Sequence, residues 1–195
     1  MSITTPEVDA RDRADMERLV AGSDTALNDL MERHAAPVFH FLCRMLANEE
    51  DAADVAQETF VRVYRSRASF RATEKFSTWL YTIAANLARN HFRWRSRHPT
   101  VSIESESGSG AASLAGVASR ELPPDRQAQA AERAGQVREA VRSLPPEMRE
   151  AIVLCEWEDR TVAEAAAILG TSPKSVESRL YRARRLLRNR LARWL

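Results

Sequence analysis

Between residues 99 and 125 the chain loses the helical periodicity that it shows on either side, and this interruption limits the folds open to it. The segment contains the run SIESESGSGAASLAG and a Pro123–Pro124 pair, without regularly spaced apolar residues. Segments of this composition act as flexible tethers because they cannot bury enough apolar surface to order themselves. We therefore predict two units, at residues 10–97 and 127–195, joined by a flexible linker at residues 98–126.

Both flanking segments have the composition of helical bundles. Apolar residues make up 44% of the chain, and there are only six glycines and eight prolines. Ala, Leu, Arg and Glu dominate, and the alternating pattern of strands is nearly absent, so the predicted fold class is all-α. After a frayed tail to about Asp9, we predict helices from near Arg11, after the Gly22–Ser23–Asp24 break, from near Glu49, at about Phe76–Arg97, at about Gln127–Leu144, at about Glu147–Glu158, and in two further segments at the C-terminus.

The C-terminal segment TVAEAAAILGTSPKSVESRLYRARRLLR has the pattern of a helix-turn-helix. Gly170 stands where the first helix must end in a left-handed turn. Ser172 is a natural N-cap and Pro173 suits the first helical position. Val176 then returns to the core, with the spacing from Ala166 and Gly170 that this motif requires. We predict that the second helix, about Ser172 to Trp194, lies in a major groove of DNA.

The charge of this second helix agrees with DNA binding. Residues 171–195 carry eight Arg and Lys residues but a single acid, Glu177. Polar side chains in the first turns of such a helix read base edges, and neighbouring arginines contact phosphates. The alternative is a helical hairpin with a solvated arginine-rich face. The candidate DNA-contacting residues are Lys174, Ser175, Glu177, Ser178, Arg179, Tyr181, Arg182 and Arg185.

A second basic segment precedes the linker. Residues 62–97 contain nine Arg and Lys residues and one acid, Glu74. Asparagine and arginine side chains recur along one side of the predicted Phe76–Arg97 helix at steps of three and four, which favours contact with nucleic acid. The candidates are Asn86, Arg89, Asn90 and Arg93. Nearby aromatic residues suggest stacking on unpaired bases, although we expect Trp79 and Phe92 to belong to the core.

The preceding helix has the opposite charge. Residues 47–60 hold five acids and no base. Such a surface is unsuited to DNA and fits a basic protein partner, although composition alone leaves a solvated helix face equally open.

Other classes of function lack support in the sequence. Paired carboxylates, a nucleophile elbow and phosphate-binding glycine loops are not found, so we expect no enzyme activity and no cofactor. The four histidines are scattered, and Cys43 and Cys155 fall in apolar helical patterns, which predicts free thiols and no metal site. We also expect neither a signal peptide nor a membrane span, and a cytoplasmic location.

The order of three motifs resembles the extracytoplasmic-function (ECF) group of bacterial RNA polymerase sigma factors. These are DAADVAQETFVRVYRS, FSTWLYTIAANLARNHFRWR, and LPPEMREAIVLCEWEDRTVAEAAAILGTSPKSVESRLYRARRLLR. The resemblance covers nearly all of residues 15–195. It implies a two-domain promoter-recognition subunit, with residues 10–97 as a region-2-like domain and residues 127–195 as a region-4-like domain.

The resemblance also implies a role for each candidate surface. The acidic helix would dock on the clamp helices of the largest polymerase subunit, with the contact on or beside Asp54, Gln57, Glu58, Phe60 and Val61. Asn86, Arg89, Asn90 and Arg93 would engage the −10 element and capture an unpaired base, with residues 66–75 as the wall of the pocket. The C-terminal helix would read the −35 element, where Glu177 departs from the basic residue that members often carry. An anti-sigma factor is the further partner implied.

The alternative hypothesis belongs to a different class of function. The chain would then be a stand-alone helix-turn-helix regulator whose N-terminal bundle senses a ligand or dimerises. The acidic QETF helix beside the basic helix argues against it, because a ligand pocket has no need of that pair.

Overall fold

The computed structural model describes residues 5–98 and 124–192, which form helices and no strand, as the all-α prediction requires. Most of the predicted linker, residues 98–126, lies outside these ranges, as do the last residues of the predicted second helix of the motif. The helices are α1 (Thr5–Val20), α2 (Thr25–Leu46), α3 (Glu49–Ser66), α4 (Phe76–Arg97), α5 (Pro124–Arg142), α6 (Pro146–Glu156), α7 (Val162–Leu169) and α8 (Pro173–Leu191), with a 3₁₀ turn at Arg67–Ser69.

Two helices begin earlier than the sequence suggested. Residues 5–9, expected to be frayed, form the first turns of α1, where Pro6 and Glu7 suit a helix N-terminus. The fifth helix starts at Pro124, inside the predicted linker, and proline is again tolerated because the first helical N–H needs no intrahelical partner. Both segments contain few apolar residues, so periodicity alone gives no signal for them.

The N-terminal bundle is built around α2, against which α1, α3 and α4 pack. Phe41 on α2 meets Tyr81 on α4 edge to face, with ring centroids 5.1 Å apart, and both side chains are buried. Polar contacts fix α1 on this core: Arg33 donates to Asp12 at 2.9 Å and also pairs with Asp15. His34 shares a 2.7 Å hydrogen bond with the buried Asp12. The bundle thus packs α4 against α2 and α3.

The C-terminal bundle places α6, α7 and α8 around a smaller core. Leu154 of α6, Ile168 of α7 and Val176 of α8 are buried, and α5 packs against both α8 and α2. The two bundles also pack on each other, through contacts of α4 with α7 and of α2 with α6. This packing was not expected from two basic units on a tether.

Candidate nucleic-acid interface

The turn between α7 and α8 has the geometry that its sequence predicts. Gly170 adopts φ 62° and ψ 40° and ends α7 in the left-handed region. The Ser172 side chain accepts a hydrogen bond from the Ser175 N–H at 3.2 Å, and Pro173 opens α8. At the other end of α7, Thr161 and Glu164 form a reciprocal capping box. Both ends of α7 and the start of α8 are therefore set by local interactions.

One face of α8 is open to solvent and carries most of the predicted DNA contacts. Lys174, Glu177, Ser178, Tyr181, Arg182 and Arg185 are exposed, while Val176 and Leu180 on the opposite face are buried. Tyr181 is 68% exposed, an unusual state for an aromatic residue on a packed helix. Ser178 and Arg182 donate to backbone carbonyls one turn earlier, of Lys174 and Ser178, at 2.9 and 3.2 Å. These local bonds leave both side chains able to reorient.

Two other predicted contacts on α8 are less accessible. The Arg179 side chain is 18% exposed and its Nη2 lies 3.4 Å from a carboxylate oxygen of Glu147 on α6. Ser175 is half-buried, and its N–H bonds to the Ser172 cap. Arg179 thus links α8 to α6 in addition to any phosphate contact.

The α4 candidates form two amide–guanidinium pairs. The Arg89 guanidinium donates from Nη1 to Asn86 Oδ1 at 2.8 Å, and Arg93 donates from Nη2 to Asn90 Oδ1 at 2.8 Å. Asn86, Asn90 and Arg93 are exposed. The spacing of three residues brings each pair together on the helix surface, and the set presents several hydrogen-bond donors in a row.

Arg89 differs from its neighbours because the C-terminal bundle covers it. Its Nε donates to Glu150 Oε1 of α6 at 2.8 Å, and the side chains of the two residues are 29% and 4% exposed. Burial raises the pKa of Glu150, an effect that the positive charges of Arg89 and Arg179 offset only in part. Arg89 Nη2 is buried without a hydrogen-bond partner among the described residues.

The aromatic residues near α4 divide as expected, with one exception on the surface. Phe76 and Tyr81 are buried, and Phe70, Trp79 and Phe92 are partly buried against the core, as predicted for Trp79 and Phe92. Trp94 is 51% exposed, and its ring stacks on that of His98 with centroids 5.1 Å apart. Of these six aromatic residues, Trp94 offers the accessible ring face.

The acidic face of α3 contains four of the five predicted polymerase-binding residues. Asp54, Gln57 and Val61 are exposed, and Glu58 is half-exposed and pairs with Arg62 at 2.9 Å. Phe60 differs, since it is 5% exposed and belongs to the core. It can support a contact on this face but cannot touch a partner directly.

Several residues that the sequence did not single out lie between the bundles. Glu158 accepts from Tyr81 Oη at 2.6 Å and pairs with Arg44 at 3.2 Å, and burial raises the pKa of its carboxyl. Arg149 is 8% exposed and donates across the boundary to the backbone carbonyl of Met45 at 2.7 Å. These partners are far apart in the chain, so no local pattern marks them.

Within residues 5–98 and 124–192, no helix is long and apolar enough to cross a membrane. The same residues contain no group of His, Cys, Asp and Glu side chains arranged to hold a metal ion.

Comparison with known families and proteins identifies both halves. Residues 30–98 match the family Sigma-70 region 2, and residues 134–187 match Sigma-70, region 4. The chain is 36% identical to RNA polymerase sigma factor CarQ of Myxococcus xanthus, over 90% of this chain and 95% of that protein. It is 32% identical to the ECF RNA polymerase sigma-E factor of Haemophilus influenzae, over 92% and 95% of the two chains.

A solved structure shares the fold as well. CnrH in complex with the cytosolic domain of CnrY aligns with a TM-score of 0.63 at 26% identity, covering 93% of this chain and 97% of CnrH. Matches over both halves to sigma factors exclude a stand-alone helix-turn-helix regulator. The chain belongs to the extracytoplasmic-function group of RNA polymerase sigma factors, which are initiation factors rather than catalysts.

Proposed function

We propose that this sigma factor divides its work among three helices. The exposed acidic face of α3 binds core polymerase, α4 engages the −10 element, and α8 reads the −35 element. The segregation of charge supports this division, because α4 and α8 carry basic exposed faces whereas α3 carries an acidic one. Polymerase would set the spacing between the two DNA contacts.

For α8, the proposal rests on its open polar face. Glu177, Ser178 and Arg182 stand where a recognition helix places its base-reading side chains. Arg182 can pair with guanine, and Glu177 can accept from the amino group of cytosine. The tyrosine at 181 adds an exposed ring for contact with a thymine methyl group or the backbone.

For α4, Asn86 and Asn90 supply the amides that read base edges, and Arg89 and Arg93 supply the phosphate contacts. Opening the duplex costs a few kcal/mol of lost stacking per extruded base. We propose that Trp94 recovers part of this cost by stacking on an unpaired base, since its ring is half-exposed beside three arginines of the same helix.

The remaining partners follow from family membership. CnrH was solved with the cytosolic domain of CnrY, and the similar RpoE of Bartonella quintana, matched at a TM-score of 0.61 and 26% identity, was solved with the anti-sigma factor NepR. We propose that an anti-sigma factor likewise controls this chain, and that it acts in the cytoplasm where polymerase and chromosome are.

The division of labour is tested by two variants in transcription assays with core polymerase. Arg182→Ala should lose −35-dependent transcription about tenfold or more, since a bidentate base contact contributes about 1–3 kcal/mol, while core binding is unchanged. The double variant Asp54→Ala, Glu58→Ala should lose core affinity. Its matched control is Glu49→Ala, Glu50→Ala, which removes the same charge from the first turn of α3.

Each of the two experiments can refute a different part of the proposal. Loss of core binding by Arg182→Ala would refute the separation of the DNA and polymerase surfaces. Equal core affinity in the Asp54/Glu58 and Glu49/Glu50 variants would remove the assignment of the α3 face.

A further inference from the structure

The C-terminal bundle lies against the side of the N-terminal bundle that carries Arg89. α7 packs on α4, and α6 packs on α2 beside it. The α8 face described above is not covered by this packing, since Tyr181 and Arg182 are exposed. One of the two DNA surfaces is therefore partly covered, and the other is open.

The contact at Arg89 is incomplete. The guanidinium gives one hydrogen bond to Glu150, one to Asn86, and buries Nη2 without a partner in the described residues. A buried, unsatisfied donor carries a free-energy cost. The Glu150 carboxylate neutralises the charge of Arg89 but accepts only one of its hydrogen bonds. A phosphate with two free oxygens would accept more of the N–H groups of Arg89. The Arg89–Glu150 contact therefore stabilises the packed state without preventing its dissociation.

Arg149 provides a second link across the boundary. Its Nη1 donates to the Met45 carbonyl in the last turn of α2, and its guanidinium carbon lies 5.5 Å from the centre of the Phe92 ring. Its other end bonds to the carbonyl of Leu144 at 3.2 Å and to that of Arg142, at the turn between α5 and α6. A cation near helix C-termini is favourable, because it meets unpaired carbonyls and the negative end of each helix dipole.

Further contacts follow the same boundary. Besides the Glu158 pairs, Arg160 Nη1 donates to Ser77 Oγ at 3.1 Å and Lys75 pairs with Glu164 at 2.9 Å. Each alone is modest, but the two bundles are joined by one chain. Because the same chain carries both bundles, each meets the other at a high effective concentration, so a weak interface is enough to hold them together.

We propose that the surface of α6 and α7 is the intramolecular partner of the Arg89 side of the DNA-reading face of α4, and that it covers Arg89 in the free protein. Arg89 cannot contact a phosphate until the C-terminal bundle moves away. The closed arrangement competes directly with binding of the −10 strand, whereas α8 remains available in both states. This inference rests on the proposed role of α4 in DNA binding.

Charge reversal at Glu150 tests the closed state in the full-length chain. Glu150→Arg puts a second cation against Arg89 and should open the molecule. Glu147→Arg is the matched control, since it makes the same charge change one turn earlier on α6, where the side chain is 74% exposed and pairs only with Arg179 among the described residues. A compact chain of this length has a radius of gyration of about 16 Å. X-ray scattering should find the wild type and the control near that size, and Glu150→Arg several ångströms larger.

Binding of a fluorescent single-stranded DNA of about 20 nucleotides tests the competition. Glu150→Arg should bind about tenfold more tightly than Glu147→Arg, because the binding-competent fraction of molecules rises while the added charge is equal. The exchanged pair Glu150→Arg, Arg89→Glu should restore the compact size, which separates loss of the pair from general damage to the fold.

The outcomes separate the two claims. An expanded wild type, or a Glu150→Arg variant as compact as the control, overturns the closed state. An expanded Glu150→Arg variant with DNA affinity equal to the control overturns the masking of α4, whereas the proposed role of α4 in DNA binding is tested separately by Trp94→Ala.

Discussion

Trp94 shows how the exposure of one side chain changes its meaning. The same residue type at position 79 is partly buried against the core, whereas Trp94 keeps half of its surface in solvent and stacks on His98. An exposed ring contributes little to folding, because its transfer from water is incomplete. We therefore expect the exposed ring of Trp94 to contribute to binding rather than to folding.

We therefore expect Trp94→Ala to reduce the formation of the open promoter complex about tenfold, since stacking contributes about 1–3 kcal/mol per base. Trp94→Phe should recover part of the loss, because it keeps an aromatic face. Permanganate footprinting of unpaired thymines measures the opening, and urea unfolding should show nearly unchanged stability. Normal opening by Trp94→Ala would assign the exposed ring to a different partner.

At the scale of the element, α7 depends on the capping box at its start. Burial raises the pKa of Glu164, but hydrogen bonds from Lys75 and from the Thr161 backbone and side chain outweigh it, and the pKa falls to about 2. A carboxyl whose pKa is lowered by folding stabilises the fold above its ordinary value, here 4.5, and this contribution disappears as the pH falls through about 2.

Glu164→Gln tests this contribution, because glutamine keeps the capping hydrogen bonds but not the charge. The variant should be less stable than the wild type above pH 4.5. The gap should narrow as the pH falls toward about 2. Urea unfolding at several pH values measures the difference. A gap that stays constant with pH would show that the charge of Glu164 has no part in the stability of α7.

Local signals explain which elements could be predicted. Gly170, Ser172 and Pro173 act within a few residues, and the helix predicted at about Phe76–Arg97 is found as α4 with those bounds. The start of α1 at Thr5 was missed because residues 5–9 contain few apolar residues, so periodicity gives no signal there. The motif placed Phe60 on or beside the polymerase contact, and helix geometry turns its side chain into the core.

At the scale of the whole molecule, sequence reasoning did not predict that the bundles pack together. Arg89 and Glu150 are 61 positions apart, and Arg44 and Glu158 are 114 apart. Such pairs depend on the surfaces of already folded bundles. The sequence shows only that the N-terminal unit is basic near α4 and that acids occur in the C-terminal unit, which does not specify their contact.

Closure should depend on pH through the two buried carboxyls. Burial raises the pKa of Glu150, which faces Arg89, Arg179 and Glu147, and that of Glu158, which faces Tyr81, Arg44, Arg160 and His40. A group whose pKa is higher in the closed state takes up protons on closing. Closure is therefore favoured most below the ordinary value of 4.5, and this advantage is lost as the pH rises through the raised values.

X-ray scattering should thus show that the radius of gyration of the wild type grows as the pH rises from the ordinary value of 4.5. The double variant Glu150→Gln, Glu158→Gln should lose this dependence. An equal dependence in both proteins would exclude the two carboxyls as its source.

The exposed face of α8 and the partly covered face of α4 imply an order in which the two promoter elements are contacted. Under the proposed roles of α4 and α8, a free molecule in this state would slide and hop along duplex DNA with α8 alone, held by salt-sensitive phosphate contacts. Stable promoter binding would come later, when the C-terminal bundle moves away and α4 contacts a DNA strand that is already opening. The protein would then bind to and dissociate from −35-like sequences quickly. The slow opening of the protein would occur mainly at the few sites that contain both promoter elements.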